Sequence, residues 1–316
     1  MEHCLAEGFT NRIEKVAIIG ANGQIGSVLT EHLLKNGKHV LTAITRHDST
    51  KTFPEGLRVA RVNYSGNDDT EIVEALRGQQ VLIISMSVHE PRDTVSKLVR
   101  AAAKADVPYI LPNWFGHDAV NDALCEDSML KGVRDSIISE IKSLGVSSYI
   151  LLVCNFWYEF SLGGGPDRFG FDFNKRTFVV SGDGTVPIRT STWLQCGRAV
   201  AALLSLKELP DDEADTSPTL SRFRNGCVYI SSFCLAQRDM FESVKRVTGS
   251  VDADWTEGNW KLFTKMLYSR MFFPSGDGEY KGDLHNDLLG LPIEDPDEAT
   301  AVGVRMGESG QVPFSH

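Results

Sequence analysis

Three glycines, spaced three residues apart, could bring a backbone close to a phosphate group near the amino end of this chain. They are Gly20, Gly23 and Gly26, in the segment Gly20-Ala21-Asn22-Gly23-Gln24-Ile25-Gly26. An aliphatic run at 16–19 precedes the segment, and a helical pattern follows it. The first glycine allows a tight turn, the second admits a pyrophosphate, and the third lets the helix approach the sheet. Free amides at the helix start, from about Gln24 and Ile25, would then face the phosphates. Strand, glycine turn and helix in this order predict a dinucleotide site, with a plain strand-to-helix turn as the alternative.

The end of the second predicted strand carries a cation. The run at 40–44 closes in Thr45-Arg46-His47, and Lys51 follows. An acidic residue here would bind the free 2′-hydroxyl of NAD(H) and repel a 2′-phosphate. A guanidinium instead binds a phosphate through two parallel hydrogen bonds and stacks on adenine. Arg46 therefore predicts NADP(H) rather than NAD(H), and a solvated surface arginine is the alternative.

Polar and aromatic residues follow the later predicted strands. The backbone of Ser85, Met86 and Ser87, at the end of the fourth strand, is expected to pass the nicotinamide-side ribose. His117 beside Asp118 could serve as an acid or base, although a hydrogen-bonded loop histidine is the more common case. Aromatic residues cluster after the fifth and sixth strands and predict either a flat pocket for a planar ring or a core between lobes: Trp114, Phe115, Phe156, Trp157, Tyr158 and Phe160.

Six short apolar runs alternate with helical patterns over residues 13–155. The runs lie at 16–19, 40–44, 57–62, 81–85, 109–111 and 149–153. Because parallel strands need crossover helices, this alternation predicts an α/β fold with a doubly wound parallel sheet of the Rossmann type. Residues 156–316 show no second alternating series and are predicted to form a smaller, mixed substrate-binding lobe. The segment from Asp295 onward is polar and is expected to be loosely held.

Composition disfavours several classes of protein. Asp and Glu total 42 against 32 Lys and Arg, a net charge of -10 that disfavours a nucleic-acid partner. No apolar run approaches the roughly 18 residues of a membrane span, and the first residues do not read as a secretory signal. The six cysteines form no CxxC pair and predict reduced thiols in a cytoplasmic protein without a metal site. A homodimer is compatible with the sequence, but no interface stripe identifies one.

Taken together, these residues resemble the NmrA-like and isoflavone-reductase-like branch of the atypical short-chain dehydrogenases, and most of all the fungal CipA-type proteins. The resemblance spans most of the chain. It implies that Asn113 and Asn155 also contact the cofactor. It rests on the glycine turn, Arg46, Leu111-Pro112-Asn113-Trp114-Phe115-Gly116 and Asn155-Phe156-Trp157-Tyr158-Glu159.

If the protein is a reductase, a side chain must supply a proton to the substrate. In this sequence no tyrosine has a lysine four residues later, so the Tyr-x-x-x-Lys pair of the main short-chain family is absent. In isoflavone-reductase relatives a lysine on the helix before the sixth strand is thought to serve, and Lys131 is the best match. Another register puts Arg134, one helical turn away, in that place. A buried lysine, its pKa lowered towards ~7 to 8, could donate a proton, while a solvent-facing lysine is the alternative.

The resemblance implies an NADPH-dependent reductase of a small aromatic or polyketide-like secondary metabolite. Hydride would pass to a carbonyl or to an activated carbon–carbon double bond. Two alternatives stay open: an NmrA-type protein that senses NADP(H) without turnover, and a non-redox isomerase or dehydratase on the same fold. The alternatives differ in whether NADPH is consumed and in how far the activity depends on Lys131.

Overall fold

An eight-stranded sheet forms the centre of the computed structural model, which describes residues 10–64, 68–87, 92–259, 266–280 and 282–311. Smaller sheets follow in the second half of the chain. The strands are β1 (Lys15–Ile19), β2 (Val40–Arg46), β3 (Arg58–Val62), β4 (Val81–Ile84), β5 (Tyr109–Leu111), β6 (Phe115–Gly116), β7 (Ser148–Val153), β8 (Phe156–Trp157), β9 (Phe171–Asp172), β10 (Thr177–Val180), β11 (Ile188–Ser191), β12 (Gly226–Tyr229), β13 (Phe233–Leu235) and β14 (Thr256–Asn259).

The main sheet has the order β3-β2-β1-β4-β5-β7-β12, and β6 pairs with β7 beyond the end of β5. Every pair in it is parallel; in the register of β1, for example, Ile19 lies opposite Ile44 on one side and Ile84 on the other. The first six strands of this order are those of a doubly wound dinucleotide-binding sheet, so the predicted fold class is confirmed. Its edge strand, β12, comes from beyond residue 155. The chain therefore returns from its second half to complete the sheet.

Helices cover both faces of the main sheet. On one face α1 packs on α7, and on the other α2, α3 and α5 pack in sequence. Apolar residues of the strands alternate between the two cores beneath these layers, as in Val16 and Ala17. The helices are α1 (Gln24–Asn36), α2 (Thr70–Leu76), α3 (Arg92–Lys104), α4 (Asp122–Asp127), α5 (Lys131–Leu144), α6 (Tyr158–Leu162), α7 (Trp193–Leu204), α8 (Gln237–Thr248), α9 (Met266–Met271) and α10 (Pro296–Ser309).

The smaller lobe is built on two three-stranded sheets. One has the order β14-β10-β9 and the other β13-β11-β8. A third apolar core, rich in phenylalanine, fills the lobe, and α10 packs there against α6 and α8. Because β8 begins at Phe156, three residues after β7 ends, the second sheet starts directly above the carboxyl edge of the main sheet.

The expectation that the chain is loosely held from Asp295 onward is wrong for residues 296–309, which form α10. Asp295 caps this helix by accepting a hydrogen bond from the backbone amide of Asp297 at 2.8 Å. Thr300 is fully buried, and a Cβ at Gly303 would lie 2.8 Å from the Leu162 side chain. Small residues on one helix face thus allow a close approach that the polar composition of the segment conceals.

Candidate functional site

The glycine turn packs directly against the end of β4. Gly20 has a φ of 81°, and a Cβ there would lie 1.9 Å from the Ser85 carbonyl oxygen. A Cβ at Gly26 would lie 2.0 Å from the carbonyl oxygen of Gly20. Both contacts are shorter than any real Cβ contact, so the turn has this shape only because these two residues lack side chains.

The amino end of α1 is open to an anion. Gly23 is the N-cap and supplies no side-chain hydrogen bond, and the first turn of the helix contains no acidic residue. The first intrahelical bond runs from the Ser27 amide to the Gly23 carbonyl at 2.8 Å, so the amides of Gln24, Ile25 and Gly26 have no acceptor within the helix. Such free amides, together with the positive end of a helix dipole, are suited to binding an anion such as a diphosphate.

A groove of about 230 Å³ joins this turn to the end of β2. Arg46 lies on its wall with two-thirds of its side chain exposed, and its Nε is 3.9 Å from an oxygen of Asp48. An exposed pair at that distance stabilises little, so the guanidinium stays available to a ligand. The lining consists of Gly20, Ala21, Asn22, Gly23, Ile44, Thr45, Arg46, Ser49, Lys51 and Phe53. Asn22 binds the Thr52 carbonyl at 3.2 Å and so ties the turn to the loop after β2.

Polar side chains fix the ends of β4 and β5. The Ser85 hydroxyl donates to the Ile19 carbonyl at 3.0 Å, and the Asn113 amide donates to the Met86 carbonyl at 3.0 Å. Ser87, one residue further, is exposed. The side chains of Ser85 and Asn113 are thus used within the protein, where they set the shape of the edge next to the glycine turn.

Asn155 joins the main sheet to the smaller lobe. Its backbone is left-handed, with a φ of 53°, and its side-chain amide donates to the carbonyls of Arg189 at 2.9 Å and Gly278 at 2.8 Å. Its Oδ1 is buried and has no partner among the described residues. The side-chain nitrogen of Asn155, a residue predicted to contact the cofactor, is therefore committed to two protein carbonyls.

His117 and Trp114 form a buried pair. The Trp114 indole donates to the His117 carbonyl at 2.9 Å, and the two ring centres are 5.1 Å apart. The His117 Nε2 lies 3.2 Å from the Ser128 hydroxyl, not against Asp118. Burial, with the positive charge of Arg134, lowers the pKa of His117 to about 4, so the ring is neutral at pH 7. His117 is therefore a buried, hydrogen-bonded histidine rather than an exposed acid or base.

The remaining aromatic residues divide between core and edge. Tyr158 is fully buried, its hydroxyl 2.7 Å from that of Thr300, and burial raises its pKa, so it belongs to the core of the lobe. Phe156 stacks on Tyr268 with ring centres 3.9 Å apart. Phe115 and Trp157 are only half-buried, at the carboxyl edge of the sheet. Together with Phe160, these are the aromatic residues of the predicted pocket that are not fully buried.

Lys131 and Arg134 share two carboxylates. The Lys131 ammonium lies 3.4 Å from Asp135 and 3.6 Å from Asp122, with a third of its side chain exposed. The hydrogen bond with Asp135 and the charge of Asp122 raise the pKa of Lys131, the opposite of the lowering expected for a buried proton donor. Arg134 is buried, 8% exposed at its side chain, and binds Asp122 at 2.7 Å. It therefore clamps α4 to α5.

Sequence reasoning assigned no role to Glu159, although it lies in the motif that begins at Asn155. Its carboxylate is buried and accepts the Trp193 amide at the start of α7 at 3.3 Å. Burial raises the pKa of Glu159 to about 8, and the nearby charge of Glu294 adds to this, while Arg198 opposes it. The sequence signal that could have pointed to Glu159 was its position as a single acidic residue within an aromatic run.

The described residues contain neither a candidate metal site nor a candidate membrane-spanning helix. In those parts of the chain His, Cys, Asp and Glu form no group of three that could hold a metal ion. Within the same ranges each helix is too short or too polar to cross a lipid bilayer.

Comparisons with known proteins agree with this geometry. Residues 20–150 match the model of a family described as NAD(P)H-binding. The oxidoreductase aprR of Aspergillus flavus is 33% identical over 307 residues, which cover 91% of this chain and 97% of that protein. The predicted nicotinamide cofactor is thus confirmed as NAD(P)H.

Two solved structures share the fold. One, with the name AtPrR2 and holding NADP+ and (+)pinoresinol, has a TM-score of 0.71 at 17% identity and covers 93% of this chain and 100% of that one. The other, an isoflavone reductase, has a TM-score of 0.68 at 19% identity, with 91% and 98% covered. The predicted family resemblance is confirmed.

Proposed function

We propose that this chain, which belongs to the same family of NAD(P)H-binding oxidoreductases as aprR, reduces a small aromatic or polyketide-like metabolite with NADPH. One observation carries the proposal: the glycine turn, the uncapped start of α1 and Arg46 line a single groove. That arrangement supports the proposal, because free amides suit a diphosphate, a guanidinium suits a further phosphate, and the two lie at adjacent strand ends.

The choice of NADPH over NADH rests on Arg46. Its side chain projects from the tip of β2, where the adenosine ribose lies in doubly wound folds, and Lys51 lines the same groove. Asp48 is the acidic residue nearest to it, yet its 3.9 Å contact is too long to hold the guanidinium firmly. Two cations at this wall favour a 2′-phosphate. AtPrR2, which shares the fold, was solved with NADP+.

The acceptor is proposed to lie against the half-buried aromatic side chains of Phe115 and Trp157. Bound NADPH supplies the hydride, and the protein must hold the acceptor and deliver a proton. Planar substrates suit flat aromatic walls, and the structure of AtPrR2 contains (+)pinoresinol. In this proposal residues 13–155 bind the cofactor and residues 156–316 bind the substrate, while a cytoplasmic location stays a prediction.

The role of Lys131 as the proton donor stays a prediction. Its raised pKa keeps it in the donor form at neutral pH, but the bonds to Asp122 and Asp135 make transfer harder. This pairing is also the specific observation in favour of the second candidate function, an NADP(H)-sensing protein without turnover. Such a protein needs the groove but no proton donor.

Calorimetry of the purified chain with NADPH and with NADH tests the first half of the proposal. We expect NADPH to bind at least tenfold more tightly, since charge-assisted phosphate contacts are the strongest polar contacts available here. A panel of aromatic ketones and enones, followed by NADPH absorbance, tests the second half. NADPH binding without consumption across that panel would favour the sensor, and no binding of either nucleotide would reject both functions.

A further inference from the structure

Arg189 lies in the middle strand of a small sheet above the main one. Its strand, β11, pairs with β8 on one side and with β13 on the other. Because both sides of its backbone are covered, the exposed part of this half-buried residue lies on its side chain. The accessible part of Arg189 therefore belongs to its side chain, although its Nε is buried.

Strand alternation fixes the direction in which Arg189 points. Its neighbours face the interior of the lobe: Ile188 is buried in the aromatic core, and the Thr190 hydroxyl donates to the Phe156 carbonyl at 2.6 Å. Arg189 points to the opposite face. On that face its partner across the strand pair is Cys234, which is exposed.

Arg189 lies close to the carboxyl edge of the main sheet. The carbonyl of Arg189 accepts the Asn155 amide at 2.9 Å, immediately after the end of β7. Its guanidinium carbon lies 5.7 Å from the ring centre of Tyr280. The Tyr280 hydroxyl donates to the carbonyl of Ile230, which follows the end of β12. Arg189 thus lies where the two lobes meet.

In the part of the chain that the structure describes, Arg189 forms no ion pair with an acidic side chain. Among the described residues no carboxylate lies within 4 Å of it, and its buried Nε has no hydrogen-bond partner. Glu279 lies near Cys234, on the same face, but forms no such ion pair. A partly buried cation without a counter-charge is costly unless something supplies the missing negative charge.

We propose that Arg189 binds an anionic group of the substrate, a carboxylate or an ionised phenol. The inference rests on the proposed function and narrows its substrate class to acidic aromatic compounds. The phosphates of the cofactor do not explain the site. Arg46 and the glycine turn lie at β2 and β1, and β2 is four strand spacings, about 19 Å, from β7.

The test uses a matched pair of probes, 2-naphthoate and its neutral amide 2-naphthamide, titrated calorimetrically into the full chain with and without saturating NADP+. We expect the wild-type protein to bind the carboxylate about tenfold or more tightly than the amide. Arg189→Gln should abolish this preference, and Arg189→Lys should retain part of it. Arg238→Gln, which removes a cation already paired with Glu257, should leave it unchanged.

Equal binding of the two probes by the wild-type protein, binding of neither, or a preference that survives in Arg189→Gln would overturn the inference. Thermal unfolding of each variant shows whether the variant is folded, and so separates a folding defect from a lost contact. Arg189→Lys adds a second control, because it keeps the positive charge. NADPH binding is measured separately. A protein that binds and consumes NADPH without favouring naphthoate rejects the anion site alone, and one that favours naphthoate but ignores NADPH rejects the proposed function alone.

Discussion

Gly20 lies so close to Ser85 that the glycine turn after β1 packs directly against the end of β4. A Cβ at Gly20 would lie 1.9 Å from the Ser85 carbonyl oxygen, while the Ser85 hydroxyl reaches back to the Ile19 carbonyl at 3.0 Å. The contact brings the glycine turn under the carboxyl edge where a dinucleotide lies in such sheets. Its geometry therefore couples the stability of the fold to cofactor binding.

Replacing Gly20 by alanine should abolish detectable NADPH binding and lower the melting temperature by several degrees. The left-handed backbone costs roughly 1 to 2 kcal/mol for a residue with a Cβ, and the clash adds about 1 to 3 kcal/mol. Gly37→Ala is the matched control, since Gly37 is also left-handed, with a φ of 70°, but has open space around it. Equal losses in the two variants would show that the contact with Ser85 is unimportant.

Arg46→Gln should weaken NADPH binding about tenfold to a hundredfold and leave NADH binding nearly unchanged. The charge-assisted bonds of a guanidinium with phosphate are worth about 1.5 to 3 kcal/mol, and each 1.4 kcal/mol is a factor of ten. Calorimetry with both nucleotides measures the difference. Arg77→Gln, an exposed arginine paired with Glu74 on α2, is the control. A similar loss for both nucleotides would reject Arg46 as the phosphate ligand.

The sequence predicted those features whose signals are local. The apolar runs and glycine spacing predicted six of the eight strands of the main sheet, β1 to β5 and β7, to within a few residues, because strand, turn and helix periodicities are carried by consecutive residues. Each of these features depends on residues that lie close together in the sequence.

Contacts between distant segments could not be predicted. Tyr158 is buried by Thr300, 142 residues later, so its sequence context showed an aromatic cluster but not which rings were covered. Lys131 looked like a proton donor, and only the packing of α4 against α5 brings Asp122 to it. Arg189 belongs to no sequence motif, and only the three-dimensional structure shows that no described carboxylate pairs with it.

Lys131→Met should lower turnover of NADPH at least tenfold with little change in nucleotide affinity, if Lys131 supplies the proton. General acid catalysis typically contributes a factor of 10² to 10⁴. Lys142→Met is the control, because Lys142 lies on the same helix and contacts the Tyr149 ring instead. The measurement is steady-state NADPH oxidation beside calorimetry. Full activity in Lys131→Met would leave Lys131 with a structural role and require another proton donor.

Glu159 should make the folded state less stable as the pH rises from about 5 to about 8. Burial raises the pKa of Glu159 from 4.5 to about 8, so over this range the folded chain holds a proton that the unfolded chain has lost. The stability that this proton provides is complete below pH 4.5 and is lost as the pH passes through 8. Glu159→Gln, which stays neutral, should therefore melt at a nearly constant temperature between pH 6 and 9, where the wild-type melting temperature falls.

Melting curves across that pH range, with Glu213→Gln as an exposed control, measure the effect. The control should follow the wild-type curve, because Glu213 is exposed and its substitution leaves the buried carboxyl group of Glu159 in place. Parallel curves for Glu159→Gln and the wild type would mean that Glu159 is already ionised in the folded protein. The start of α7 would then hold a buried charge, with Arg198 as its counter-ion in place of a proton.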